Sequence, residues 1–190
     1  MKGVTAHPMS AKNTLVNPTL VCVDLINCLD RMQTPEHTEG TEGFIWVESM
    51  QTNVSEATLN LKIRDHSKSM YEARKKFIAD SVEYVKAKNP KAGVELRIVD
   101  VYGNIADAIN EENRACVDHI FEAMQELGIT PKDIAMRGGT DGSFISTKGI
   151  PTTNYFTGAQ NFHSYCEFMP MTAIEKSCQM TLKLIELITK

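Results

Sequence analysis

The sequence predicts a mixed α/β chain in two parts: a ferredoxin-like β-α-β-β-α-β unit over residues 1–103, and over residues 104–190 a portion of an open α/β sheet. Three observations carry this. In the first hundred residues, apolar positions switch between helical spacing and strict alternation in the order strand, helix, strand, strand, helix, strand. Beyond Asn104 the pattern changes to longer helices and short apolar runs bounded by glycine, the habit of a sheet covered on both faces. Finally, 190 residues that are 42% apolar and 23% charged suffice for a sizeable core, which excludes disordered, collagenous and coiled-coil chains.

The elements follow in order. Gly3-Val4-Thr5-Ala6 is a short extended piece. Asn17-Pro18, a capping residue followed by proline at the first helical position, opens a helix. Val21, Leu25, Cys28, Leu29 and Met32 mark its buried face until Thr34-Pro35 and the Gly40–Gly43 loop end it. Phe44 to Met50 is rich in strand formers, and Leu59, Leu61 and Ile63 alternate with Asn60, Lys62 and Arg64, the period of a strand with one buried face. Tyr71, Ile78, Val82 and Val85 mark a second helix, closed by Asn89-Pro90, whose charge run from Glu72 to Lys76 reads as a solvated face. Val94, Leu96 and Ile98 alternate again, giving a strand to about Tyr102. The single Trp46 reads as core.

In the second part, Val117, Ile120, Phe121, Met124 and Leu127 predict a helix stopped by Gly128. Ile134-Ala135-Met136 and Asn154-Tyr155-Phe156 read as short strands, and Ile174, Cys178, Leu182, Ile185 and Ile188 line a terminal helix. So small a sheet leaves open edges and little buried area, so this part should lack a partner layer.

The formal net charge of -4 supplies no basic field for a polyanion or an anionic membrane surface, so nucleic acid and membrane are not expected partners. No apolar run approaches the roughly 18 residues of a membrane span, and the chain reads as cytoplasmic. Five scattered cysteines without Cys-x-x-Cys suggest neither a disulfide framework nor a thiolate zinc site, and mostly buried thiols are expected.

The densest polar stretch is Asn161-Phe162-His163-Ser164, on a loop after a strand, where a histidine can present a ring nitrogen to a metal; a plain surface histidine is the simpler alternative. Glu167 follows four residues on, a spacing that arises often by accident. Arg137, at a strand end before Gly138-Gly139-Thr140-Asp141-Gly142, could grip a carboxylate in two parallel hydrogen bonds, or simply border a tight turn. The stretch lacks the Gly-Lys-Ser/Thr ending of a nucleotide loop, and Gly142-Ser143-Phe144-Ile145 is not a nucleophile elbow. His7, Asn53 and Arg64 lie at element ends, where polar groups reach a ligand from outside the core.

Together, Gly3-Val-Thr-Ala-His7-Pro with Ala11-Lys12, Pro35-Glu-His-Thr38-Glu-Gly-Thr-Glu-Gly43-Phe, Ile63-Arg64-Asp65, Tyr71-Glu-Ala-Arg74-Lys, Arg137-Gly-Gly-Thr-Asp-Gly142 and Asn154-Tyr-Phe-Thr-Gly158 through Asn161-Phe-His163 resemble the peptidase T family over essentially the whole chain. The resemblance implies a two-zinc tripeptide aminopeptidase, with residues 1–103 as its lid and 104–190 as the C-terminal portion of its catalytic domain. It implies that His163 is the last zinc ligand, that His7 polarises the scissile carbonyl from the lid, that Arg137 binds substrate carboxylate, and that Arg64 and Asn53 face the substrate. The family's His-x-Asp ligands, bridging aspartate, Glu-Glu base and a further aspartate ligand lie upstream of the lid and have no counterpart here. The expected partners are therefore a tripeptide and the N-terminal half of the catalytic domain, and a homodimer through the lid is a further option. A hydrolase of this kind needs both ions and a carboxylate base, so the chain by itself is expected to be inactive. The alternative is a non-catalytic oligomerisation or interaction remnant, which the fit of His7, Arg64, Arg137 and His163 to the pattern argues against.

Overall fold

A computed structural model describes residues 1–189. The chain divides into two compact units: residues 1–99 with 135–138, and residues 100–134 with the chain from Gly139 onward.

The first unit is built on an antiparallel ribbon of β1 (Phe44–Thr52) and β2 (Ala57–Arg64), covered by helices α1 (Pro18–Ile26) and α2 (Lys68–Lys88). Asn17 caps α1 as expected, its Oδ1 accepting from the Thr19 N–H at 3.0 Å with Pro18 in the first turn. Ser67 Oγ caps α2 by accepting from the Met70 N–H, and Asn89 closes it by donating its N–H to Val85 O at 2.9 Å. Ile78, Val82 and Val85 fall on one stripe of α2 and are buried. Val82 and Val85 pack with Val21 and Leu25 of α1 and with Val94, while Met1, Val16 and Leu59 close the cluster. Each such side chain contributes about 1.5–3 kcal/mol by leaving water. The ribbon register pairs Phe44 with Arg64 and Ile45 with Ile63, then shifts between Val47 and Ser49, a bulge that takes up Glu48.

Several expectations change here. Of the expected strands, only two form a ladder among the described residues. The first piece makes isolated bridges: Lys2 bonds to Gly93 on one side, Gly3 N–H donates to Ser55 O at 2.8 Å on the other, and Val4 pairs with Val16. Val94–Ile98 has the right alternation, but it gains no ladder, and Leu96 and Ile98 stay exposed; alternation makes a strand only when an edge is there to bond. Helix α1 stops at Ile26 rather than running to Met32. There the Asp30 carboxylate accepts from the Met32 N–H at 2.9 Å and starts a separate 3-10 turn, the local competition that short polar side chains offer a helix. Trp46 is 43% exposed on the outer face of the ribbon, with Lys62 Nζ 5.5 Å from its ring centroid, so it is not core. Arg74 leaves the solvated face and turns inward to Asp65. Only Cys22 among the cysteines is buried, and all five are free.

The second unit is helical: α3 (Ala115–Glu126), the short α4 (Asp141–Ser146) and α5 (Met171–Ile188). Helix α3 ends where Gly128 takes a φ of 65°, the left-handed stop that its sequence announces. Ala123 of α3 and Met180 of α5 are fully buried, and Lys183 Nζ reaches Glu126 at 3.0 Å. Residues 134–136 and 154–156 are not strands, and Ile134 and Met136 are exposed, for the same want of an edge. No helix among the described residues is long and apolar enough to cross a membrane.

Candidate functional site

Arg137 lies in a stretch without regular secondary structure, residues 129–137, and its position is set by the first unit. Its Nη1 donates to the Thr38 carbonyl and its Nη2 to Thr38 Oγ1. Its Cζ sits 4.8 Å from the centroid of the buried Phe44 ring, a cation–π contact. The Nε–H is buried and meets no acceptor among the described residues. Thr38 is fixed in turn, since its hydroxyl donates to Thr34 O at 2.8 Å.

Three of the sequence motifs converge on this spot. Phe44 pairs with Arg64 in the ribbon, so Arg64 and Arg137 both adjoin Phe44, one by strand register and one by ring contact. Beside it, Asp65 accepts from Arg74 Nε at 2.9 Å, with side chains only 5% and 12% exposed, and Arg74 Nη1 also donates to Gln33. Gly43 is required by this arrangement: a Cβ there would fall on the Asp65 carboxylate and within 2.8 Å of the Arg64 carbonyl.

Asn53 lies elsewhere. It sits in the β1–β2 turn, at the other end of a strand and therefore about 30 Å along the ribbon from Phe44. Its Oδ1 accepts from Ser55 N–H at 2.8 Å, Ser55 Oγ at 3.0 Å and Glu56 N–H at 2.9 Å, which is the work of a turn former. His7 is exposed at the start of the Pro8–Ser10 turn, and its Nδ1 accepts from the Met9 N–H at 3.2 Å. That bond places the proton of the neutral ring on Nε2, leaving an outward donor.

His163 belongs to the second unit and is exposed on a loop closed by the Gln160–Phe168 bridge. It takes a left-handed φ of 64°, and Asn161 one of 56°, conformations that non-glycine residues adopt at some energetic cost. Glu167 Oε2 accepts from the His163 backbone N–H at 2.8 Å, which braces the loop that carries the imidazole. Among the described residues no three His, Cys, Asp or Glu side chains gather to hold a metal. Thr38 is the partner of Arg137 that sequence reasoning did not single out. The signal for Thr38 was its place inside a motif that ends at Phe44.

The sequence model of the peptidase family M20/M25/M40 matches residues 12–187. A peptidase T-like protein of Yersinia pestis is 50% identical over 94% of this chain and 43% of its own length. One of Rhizobium meliloti is 48% identical over 97% and 45%, and a peptidase T of Caldanaerobacter subterraneus is 39% identical over 99% and 46%. A tripeptidase structure from Staphylococcus aureus superposes with a TM-score of 0.73 at 23% identity, covering 98% of this chain and 49% of that one, a likeness of fold. The chain thus spans about half the length of the relatives it matches.

Proposed function

Because the chain belongs to the peptidase family M20/M25/M40, we propose that it is the lid and C-terminal catalytic portion of a peptidase T-like, cytoplasmic two-zinc aminopeptidase that releases the N-terminal residue of tripeptides. The observation that carries this reading is the seat of Arg137, where residues 35–44, 63–65 and 137 meet around Phe44 and leave a guanidinium edge without an acceptor. Arg137 would grip the peptide carboxylate and Arg64 would border the same end of the ribbon. His7 would donate from Nε2 to the scissile carbonyl oxygen, which draws most charge in the transition state. Asn53 would act at the substrate only by way of its amide nitrogen, since its oxygen is engaged in the turn. His163 would be the ligand this chain contributes to zinc.

Residues 1–103 are the proposed lid, and a ferredoxin-like arrangement of it is supported by the order in which Lys2 stands between Gly93 and Glu56 at the side of β2. Residues 104–190 are the proposed catalytic portion. The base and remaining metal ligands would come from a segment of the kind that makes up the rest of the relatives' length, and a homodimer through the lid is part of the same proposal.

The test is completion. Fused behind the preceding segment of the Yersinia pestis relative, the chain should release the N-terminal residue from tripeptides such as triglycine in a zinc-dependent way. A well-folded, zinc-loaded fusion with no peptide hydrolysis would overturn the reading.

A further inference from the structure

We infer that Thr38 is a positioning residue for Arg137, holding the end of its guanidinium so that the Nε–Nη2 edge is presented to a peptide carboxylate. The inference rests on the carboxylate role proposed for Arg137 and adds the residue that makes it work. A guanidinium carries five N–H groups in a fixed plane. Thr38 takes one from Nη1 with its carbonyl and one from Nη2 with its hydroxyl, so two atoms of a single residue set both the place and the rotation of that plane. The hydroxyl cannot turn away, because its own proton is committed to Thr34 O at 2.8 Å. Phe44 fixes the flat face at 4.8 Å.

What remains is the side edge, where the Nε–H and the second Nη2–H run parallel, the spacing that a carboxylate matches with both oxygens. That the buried Nε–H meets no acceptor is consistent with an edge awaiting an anionic ligand, since an unmet buried donor is costly. The backbone around Arg137 has no regular structure to place the side chain, so the precision must come from residues 38 and 44.

The experiment follows the arginine Nε–H resonances of the full 190-residue chain by two-dimensional NMR, with Arg137→Lys identifying the signal by its loss. Triglycine is titrated in, with triglycinamide, which lacks the carboxylate, as control. The wild-type signal should move with triglycine and stay still with the amide. Thr38→Val should weaken triglycine binding about tenfold, the scale expected when a side chain must be ordered on binding, while Thr38→Ser should restore it. If the valine chain loses its dispersed spectrum, Thr38→Ala makes the same comparison without the added methyl. No carboxylate-dependent shift in the wild type would overturn the role of Arg137 and the inference with it. A wild-type shift with undiminished affinity in the Thr38 variants would overturn the positioning role alone, as would equal weakening of triglycine and triglycinamide, which marks a merely structural staple.

Discussion

At the scale of single residues, a nearly buried ion pair lies at the Phe44 end of the ribbon. Asp65 and Arg74 are almost wholly removed from water and bonded at 2.9 Å, so replacing Asp65 by alanine leaves a buried guanidinium unpaired and should cost about 3–5 kcal/mol in urea unfolding. Gly43→Ala should cost about 1–3 kcal/mol by a different route, because its Cβ would need the space of the Asp65 carboxylate. Unfolding midpoints unchanged by either substitution would refute the packing described around Phe44. The two histidines separate in the completed enzyme. Loss of the His163 imidazole should lower zinc content and activity together, whereas His7→Ala should keep the metal and depress kcat by roughly 10²–10³, the effect of removing one donor to a developing oxyanion. Metal analysis beside steady-state kinetics checks both.

At the scale of elements, helices α1 and α2 are tied by a polar clasp as well as by their apolar stripes. Lys88 Nζ and Asn89 Nδ2 both donate to the Asp24 carboxylate, at 2.7 and 3.0 Å. The Lys88 hydrogen bond first, and the Asn89 one after it, hold this carboxyl below the ordinary aspartate range. A carboxyl whose folded pKa is depressed stabilises the fold above its unfolded value of about 3.9, and that contribution is lost as pH falls through the folded value. Acid unfolding should therefore steepen below about pH 4, and Asp24→Asn should flatten that limb; an unchanged profile would mean that the clasp adds nothing. Burial pushes the Cys22 thiol up, so this cysteine should resist alkylation in the folded chain while the exposed Cys166 and Cys178 react. Mass mapping after brief labelling would show the opposite order if α1 were loosely packed.

At the scale of the whole molecule, the two units differ in what they bury. The first encloses Val21, Leu25, Phe44, Ile45, Ile78, Val82 and Val85, whereas the second encloses Ala123 and Met180 and leaves Leu182, Ile185 and Ile188 of α5 in water. Expressed separately, residues 1–103 should fold and protect their amides, and residues 105–190 should not. A well-protected C-terminal piece would contradict this. The sequence by itself determined helices α1, α2, α3 and α5, the cap at Asn17, the β1–β2 ribbon and the family, because helical period, capping chemistry and alternation are local and motif order survives without any contact being known. Only the tertiary structure decided which alternating segments became strands, that Arg74 turns inward while Trp46 stays out, that Asn53 closes a turn far from Phe44, and that Thr38 grips Arg137 from 99 residues away. Those outcomes depend on which edge or acceptor lies opposite in space, and no local pattern encodes that.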